Sequence, residues 1–178
     1  MREKHRDDGR QKVKQKWIPP DEGSDKLNVD SAFTPDGHAG AGMILRNWRG
    51  ELIFAASSQL QGCDDALEAE LAAMEEGLNL AVHWSTKPIV LESDCAEAIK
   101  LVHGSCPNMS RYAMRINSIR ERFNEREIVL TKVSREANCV SHGLARMGRV
   151  EGRSAVWLQN VPSDIAEAMN TDCSYLAH

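Results

Sequence analysis

The sequence predicts an α/β domain with a five-stranded mixed sheet, in which three antiparallel strands precede β-α-β units and helices pack on both faces. Three observations predict it. Short β-type runs near the start are separated by tight-turn residues. From Leu67 the apolar period lengthens from two residues to between three and four. Beyond Pro88, short apolar runs alternate with amphipathic ones.

Residues 1–16 hold Arg2, Lys4, Arg6, Arg10, Lys12, Lys14 and Lys16 against Glu3, Asp7 and Asp8, with almost nothing apolar to bury. A basic, disordered tail is expected there. The domain proper is expected over 17–149, and 150–178 as a C-terminal extension with a short, weakly anchored helix after Pro162. Residues 17–25, with Pro19, Pro20 and Gly23, read as an extended lead-in. In 27–33, Leu27, Val29 and Ser31 share one face and Asn28, Asp30 and Ala32 the other, the alternation of a strand. Thr34-Pro35-Asp36-Gly37 is a turn, 40–46 a second strand, Asn47-Trp48-Arg49-Gly50 a turn, and 52–58 a third strand. Leu67, Leu71, Met74, Leu78, Ala81 and Val82 then mark one face of a helix that Asp64 or Asp65 can cap. Residues 88–93 form a strand of the doubly buried kind. Helices follow at 96–103 and 111–123, a fifth strand at 128–133, and a helix at 138–147 that ends near Gly148.

An apolar content of 42 % suffices for one core, and no apolar run approaches the length that crosses a bilayer. The basic start has no apolar stretch of the secretory kind, so an intracellular, membrane-free protein is expected, as a monomer. Of five cysteines none forms a C-x-x-C pair, which argues for free thiols over a zinc ribbon. A Ser or Cys hydrolase lacks a placed base, because His83 and His103 fall on helices without a marked partner. The glycines of Gly37-His38-Ala39-Gly40-Ala41-Gly42 precede a strand, so no phosphate-binding P-loop is formed.

Three acids draw attention. Asp30 stands mid-strand, where Asp is disfavoured unless it faces water at an edge or holds a cation. Asp94 stands where a strand ends and a helix begins. Either Ser93 or Asp94 serves as a helix cap, or Asp94 points into the crevice at the strand's C-terminal end. Glu70 lies at one margin of the apolar stripe, Glu68 and Glu75 at the other, and the helical wheel does not choose among them.

Five segments in order resemble the ribonuclease H-like domain of the plant retroelement-derived, reverse-transcriptase-associated type. They are KWIPPDEGSDKLNVDSAF, GAGMILRNWRGELI, LEAELAAMEEGLNLA, PIVLESDCAEAI and VSREANCVSHGLAR, and the resemblance runs in register from Trp17 to about Met147 and more loosely from Pro162 to Asp172. The resemblance implies a ribonuclease H-like fold and a metal-dependent endonuclease that hydrolyses the RNA strand of RNA–DNA hybrids. It implies two Mg²⁺ or Mn²⁺ ions and a catalytic, metal-binding set of Asp30, Glu70, Asp94 and His142. Residue 142 is the position of the family's fourth carboxylate, and imidazole suits Mg²⁺ less well. Ser31, Ala32, Arg135 and Asn138 are the implied nucleic-acid contacts, with Ser31 where the family usually has Gly. The connection Gly104–Asn108 is short where some members carry a basic insertion, so hybrid affinity would come from Lys132, Arg135, Arg146 and the basic arm. A competing reading is a catalytically impaired, domesticated domain that binds nucleic acid or protein. A third is a fragment of a longer reverse-transcriptase polyprotein.

Overall fold

Alternation along the first strand sets the two sides of the molecule. A computed structural model describes residues 15–104 and 110–173; residues 1–14 of the basic tail, the connection carrying Cys106, and the Cys173 side chain lie outside the described residues. In β1 (Asp25–Phe33) Leu27 and Val29 are fully buried on one side, while Asn28 and Asp30 are buried on the other. β1 pairs antiparallel with β2 (Ala39–Asn47), and β2 with β3 (Leu52–Leu60), as the turns predict. The helical period produces α1 (Ala66–Trp84), whose cap is Asp65: its carboxylate accepts from the Glu68 backbone N–H at 2.8 Å. β4 (Ile89–Ser93), α2 (Ala96–His103), α3 (Ala113–Glu125) and β5 (Ile128–Lys132) complete the β-α-β part. A 3₁₀ turn over Arg135–Asn138 leads into α4 (Cys139–Glu151).

The sheet order is β5-β4-β1-β2-β3-β6, with β1–β4 and β4–β5 parallel and the other pairs antiparallel. One core lies between the sheet and α1, α2 and α3, and includes Leu27, Val29, Met43, Leu71, Leu78, Val102, Ile116 and Ile119. A second lies on the opposite face, where Ile44, Ala55, Val140, Leu144 and Ile165 join the sheet to α4 and α5 (Ser163–Cys173). Helices therefore cover both faces, as expected. No helix among the described residues is long and apolar enough to cross a membrane.

Two expectations are corrected. The sheet has six strands, not five, because β6 (Ala155–Trp157) pairs antiparallel with β3. Three residues are too short a run to signal a strand by alternation. The C-terminal helix is also not weakly anchored. Ile165 is 3 % exposed, and Asp172 accepts a 3.0 Å hydrogen bond from Arg46 Nη1. The Arg46 guanidinium lies 3.6 Å from the centroid of the buried Trp17 ring, so one buried cation joins the lead-in, β2 and the C-terminal helix.

Gly42 lets α4 close on β2. A Cβ there would strike the Ser141 carbonyl and the Ala145 amide, which are helix backbone and cannot rotate away. Gly42→Ala is therefore expected to lower stability by about 1–3 kcal/mol, as overpacking does, read as a reduced urea midpoint at unchanged slope. An unchanged midpoint would mean that α4 does not sit this close.

Candidate metal centre

Strand register places two of the acids. β1 and β4 run parallel with Asn28 opposite Glu92, and two residues further along each chain stand Asp30 and Asp94. β4 ends at Ser93 while β1 continues to Phe33. Asp94 thus leaves the sheet level with Asp30, at the crevice beyond the parallel strands. β1 lies between β4 and β2, so Asp30 is not an edge-strand residue facing water. Asp94 is not the helix cap either: Cys95 holds that position, its Sγ accepting from Ala98 N–H. The Asp94 carboxylate is left for the crevice.

Helix α1 supplies the third acid. Gly77 packs directly on Val29 and Met43, and Glu70, two helical turns earlier, reaches Ser31, whose hydroxyl donates to Oε1 at 2.7 Å. The other two glutamates are committed elsewhere. Glu68 accepts from the Asp64 backbone N–H and from Arg111, and Glu75 from Arg115. The structure thus separates three residues that the helical wheel does not.

One ligand oxygen from each of Asp30, Glu70 and Asp94 lies within 4.8 Å of the others. With Ser31, Arg135, Asn138, Cys139 and His142 they line a cleft of about 360 Å³. His142 Nδ1 lies 2.7 Å from Asp30 Oδ2. Where Asp30 is ionised it has no proton to give, and Nδ1 is the donor. Arg135 Nε lies 3.2 Å from Asp94 Oδ2, on a side chain 92 % exposed.

Asn138 is held inside the protein. It is 2 % exposed, donates to the Val29 carbonyl at 2.9 Å, and accepts from Ser141 Oγ at 2.7 Å. It ties the start of α4 to β1 and so sets His142 against Asp30. Sequence reasoning missed three supports of this tether. Asn28 donates to Glu92 and Asn138, Trp17 Nε1 donates to Asn28 at 2.8 Å, and Ser141 closes the set. The signal for Asn28 was present, since it shares a strand face with Asp30. Ala32, half-buried opposite Gly40, does not line the cleft. Lys132 borders a second groove with Lys26 and Ser134, and Arg146 a third between α4 and α5.

Two of the three carboxyl groups, Glu70 and Asp30, are shifted, by burial first and by neighbouring charge second. Burial pushes Glu70 up to about 8, with Asp30 and Asp94 adding to the effect and the Ser31 hydrogen bond opposing it. Burial, and then the Asp94 charge, also raise Asp30, while the His142 hydrogen bond pulls it back. Glu70 Oε2 is buried without a hydrogen-bond partner among the described residues. An orphaned hard oxygen beside two further carboxylates fits a divalent cation, which Asp30, Glu70 and Asp94 would hold.

The raised Glu70 carboxyl has a stability consequence. Between its unfolded value of 4.5 and about 8 the native state binds more protons than the unfolded state, so stability falls as pH rises through that window. Without divalent ion, the urea midpoint should drop between about pH 5 and pH 8, and Glu70→Gln should flatten the profile. An equally steep decline in the variant would place the titrating group elsewhere.

Comparison with known proteins agrees with this architecture. The reverse transcriptase-like family model matches residues 28–148. The ribonuclease H1 of the halophilic archaeon Halobacterium salinarum NRC-1 is similar in structure, with a TM-score of 0.65 at 20 % identity over 71 % of this chain and 97 % of that one. LC11-RNase H1, solved in complex with an RNA/DNA hybrid, gives 0.63 at 16 % identity over 72 % of this chain and 98 % of that one. The foamy viral protease-reverse transcriptase, also solved with an RNA/DNA hybrid, gives 0.60 at 16 % identity over 72 % of this chain and 20 % of that one. Comparison with curated proteins finds no match. In sequence and in architecture the chain belongs to the reverse transcriptase-like family and folds as a ribonuclease H-like domain.

Proposed function

We propose that this domain is a divalent-metal-dependent endonuclease that hydrolyses the RNA strand of an RNA–DNA hybrid, with Mg²⁺ or Mn²⁺ as its ion. The observation that carries the reading is the convergence of Asp30, Glu70 and Asp94, from a strand interior, a helix and a strand end, on one cleft. The hybrids bound by LC11-RNase H1 and by the foamy viral enzyme support that choice of substrate. The plant retroelement type remains part of the proposal, resting on the five resembling segments.

A bound divalent ion would relieve charge on the phosphodiester and lower the pKa of water. The protein's own groups do the rest. Asp30 is the stiffest of the three ligands, because it stands on an interior strand. Ser31 fixes the Glu70 carboxylate by donating to Oε1. With Nδ1 donating to Asp30, Nε2 of His142 is the ring nitrogen left to accept a proton, on a side chain 67 % exposed. Arg135 brings a positive charge to the cleft wall, where a phosphate oxygen would seat. Recognition of RNA would come through 2′-hydroxyls at backbone groups near Ser31.

A second reading is a fold that binds nucleic acid or protein without cutting it. The observation favouring it is His142, an imidazole in place of a carboxylate beside Asp30. Cleavage of an end-labelled hybrid with Mg²⁺ or Mn²⁺ separates the two. Cleavage by the native chain, with a loss of at least about 100-fold in Asp30→Asn, is the expected result. Supporting residues around metal sites alone are worth 10- to 100-fold. Undiminished cleavage by the variant would place the chemistry elsewhere, and none by the native chain would leave the binding reading. Mn²⁺ at about 100 times its Kd should also raise the melting temperature by roughly 5–10 °C. No shift would mean that the carboxylates do not hold the ion.

A further inference from the structure

We infer that His142 limits the cleft to a single divalent ion, where a carboxylate at the same position would admit a second. This rests on the metal-centre reading above and adds to it the number of ions, against the two that the sequence resemblance implies.

Three observations carry it. The first is the occupancy of Asp30. Its Oδ2 accepts from His142 Nδ1 at 2.7 Å, so one of its two oxygens is already engaged by the protein. Asp30 would be the natural bridge between two ions, being the member of the set on an interior strand, and the imidazole takes one lone pair of Oδ2 and stands on the side where a second ion would approach that oxygen.

The second is charge. The cluster offers three carboxylates. Arg135 sets a guanidinium 3.2 Å from Asp94, and His142 contributes no negative charge. Two divalent cations would bring four positive charges to this set. Hard cations are held by anionic and carbonyl oxygen, and an imidazole replaces neither. One ion leaves the cluster close to neutral; a second would add uncompensated positive charge beside Arg135.

The third is that His142 is built into place. Asn138 is bonded to β1 through the Val29 carbonyl and to α4 through Ser141, and these bonds fix the first turn of α4, one turn before residue 142. Its side chain is nonetheless 67 % exposed, so the position accepts other side chains without disturbing either core.

The test is a titration of the full chain with Mn²⁺, without nucleic acid, reading free ion by its electron paramagnetic resonance signal. The native protein should bind one Mn²⁺ per chain and His142→Asn should also bind one. His142→Asp should bind two, a doubling of bound ion at saturation. Thermal melting of each variant checks that the fold is retained. Two ions of comparable affinity in the native chain, or one ion in His142→Asp, would overturn the inference and leave the metal centre standing. No binding in the native chain would overturn both.

Discussion

The site depends on one constraint, the parallel pairing of β1 with β4 and its register. Asn28 stands opposite Glu92, which carries Asp94 to the level of Asp30 at the point where β4 stops and β1 continues. A shift of one residue would turn Asp30 to the opposite face of the sheet. The register is held from both sides. Leu27 and Val29 are committed to the core beneath α1, while Asn28 is tied to Glu92 and, through Asn138, to α4. The apolar core and the buried polar tether thus enforce the same alignment. Position in the sheet, more than any local motif, is what makes an aspartate in a strand useful.

The scaffold then keeps like charges together. Burial and mutual repulsion raise Asp30 and Glu70, and each acid has a partner that restrains it. Ser31 donates to Glu70, His142 to Asp30, and Arg135 faces Asp94. Glu70 Oε2 lacks any such partner among the described residues. A cation held by the three acids, as proposed, would relieve that strain. The Trp17–Arg46–Asp172 stack fastens the lead-in and the last helix to β2.

Much of this was legible in the sequence, for physical reasons that differ by element. The period-two run in β1 and the longer period in α1 named both the elements and their buried faces. Asp30 stood out because a strand interior rarely holds an unpartnered acid. Glu70 did not stand out from Glu68 and Glu75 on the wheel. What separates them is Arg111 and Arg115, which come from a distant stretch of chain. Asp94 was ambiguous because a cap and a ligand occupy the same kind of position; Cys95 resolves it by taking the cap. β6 was too short to show a period, and the last helix depends on Ile165 and Asp172, whose partners no local pattern reveals. Asn138 was read as a contact to nucleic acid, whereas its amide serves β1 and α4.

The central claim is that three carboxylates from distant segments form one cation site. Anomalous diffraction at the manganese absorption edge, from crystals of the protein grown with Mn²⁺, tests it most directly. The account predicts a peak contacted by carboxylate oxygens of Asp30, Glu70 and Asp94 together. A cleft without a peak, or an ion held by other residues while these three side chains point apart, would contradict it.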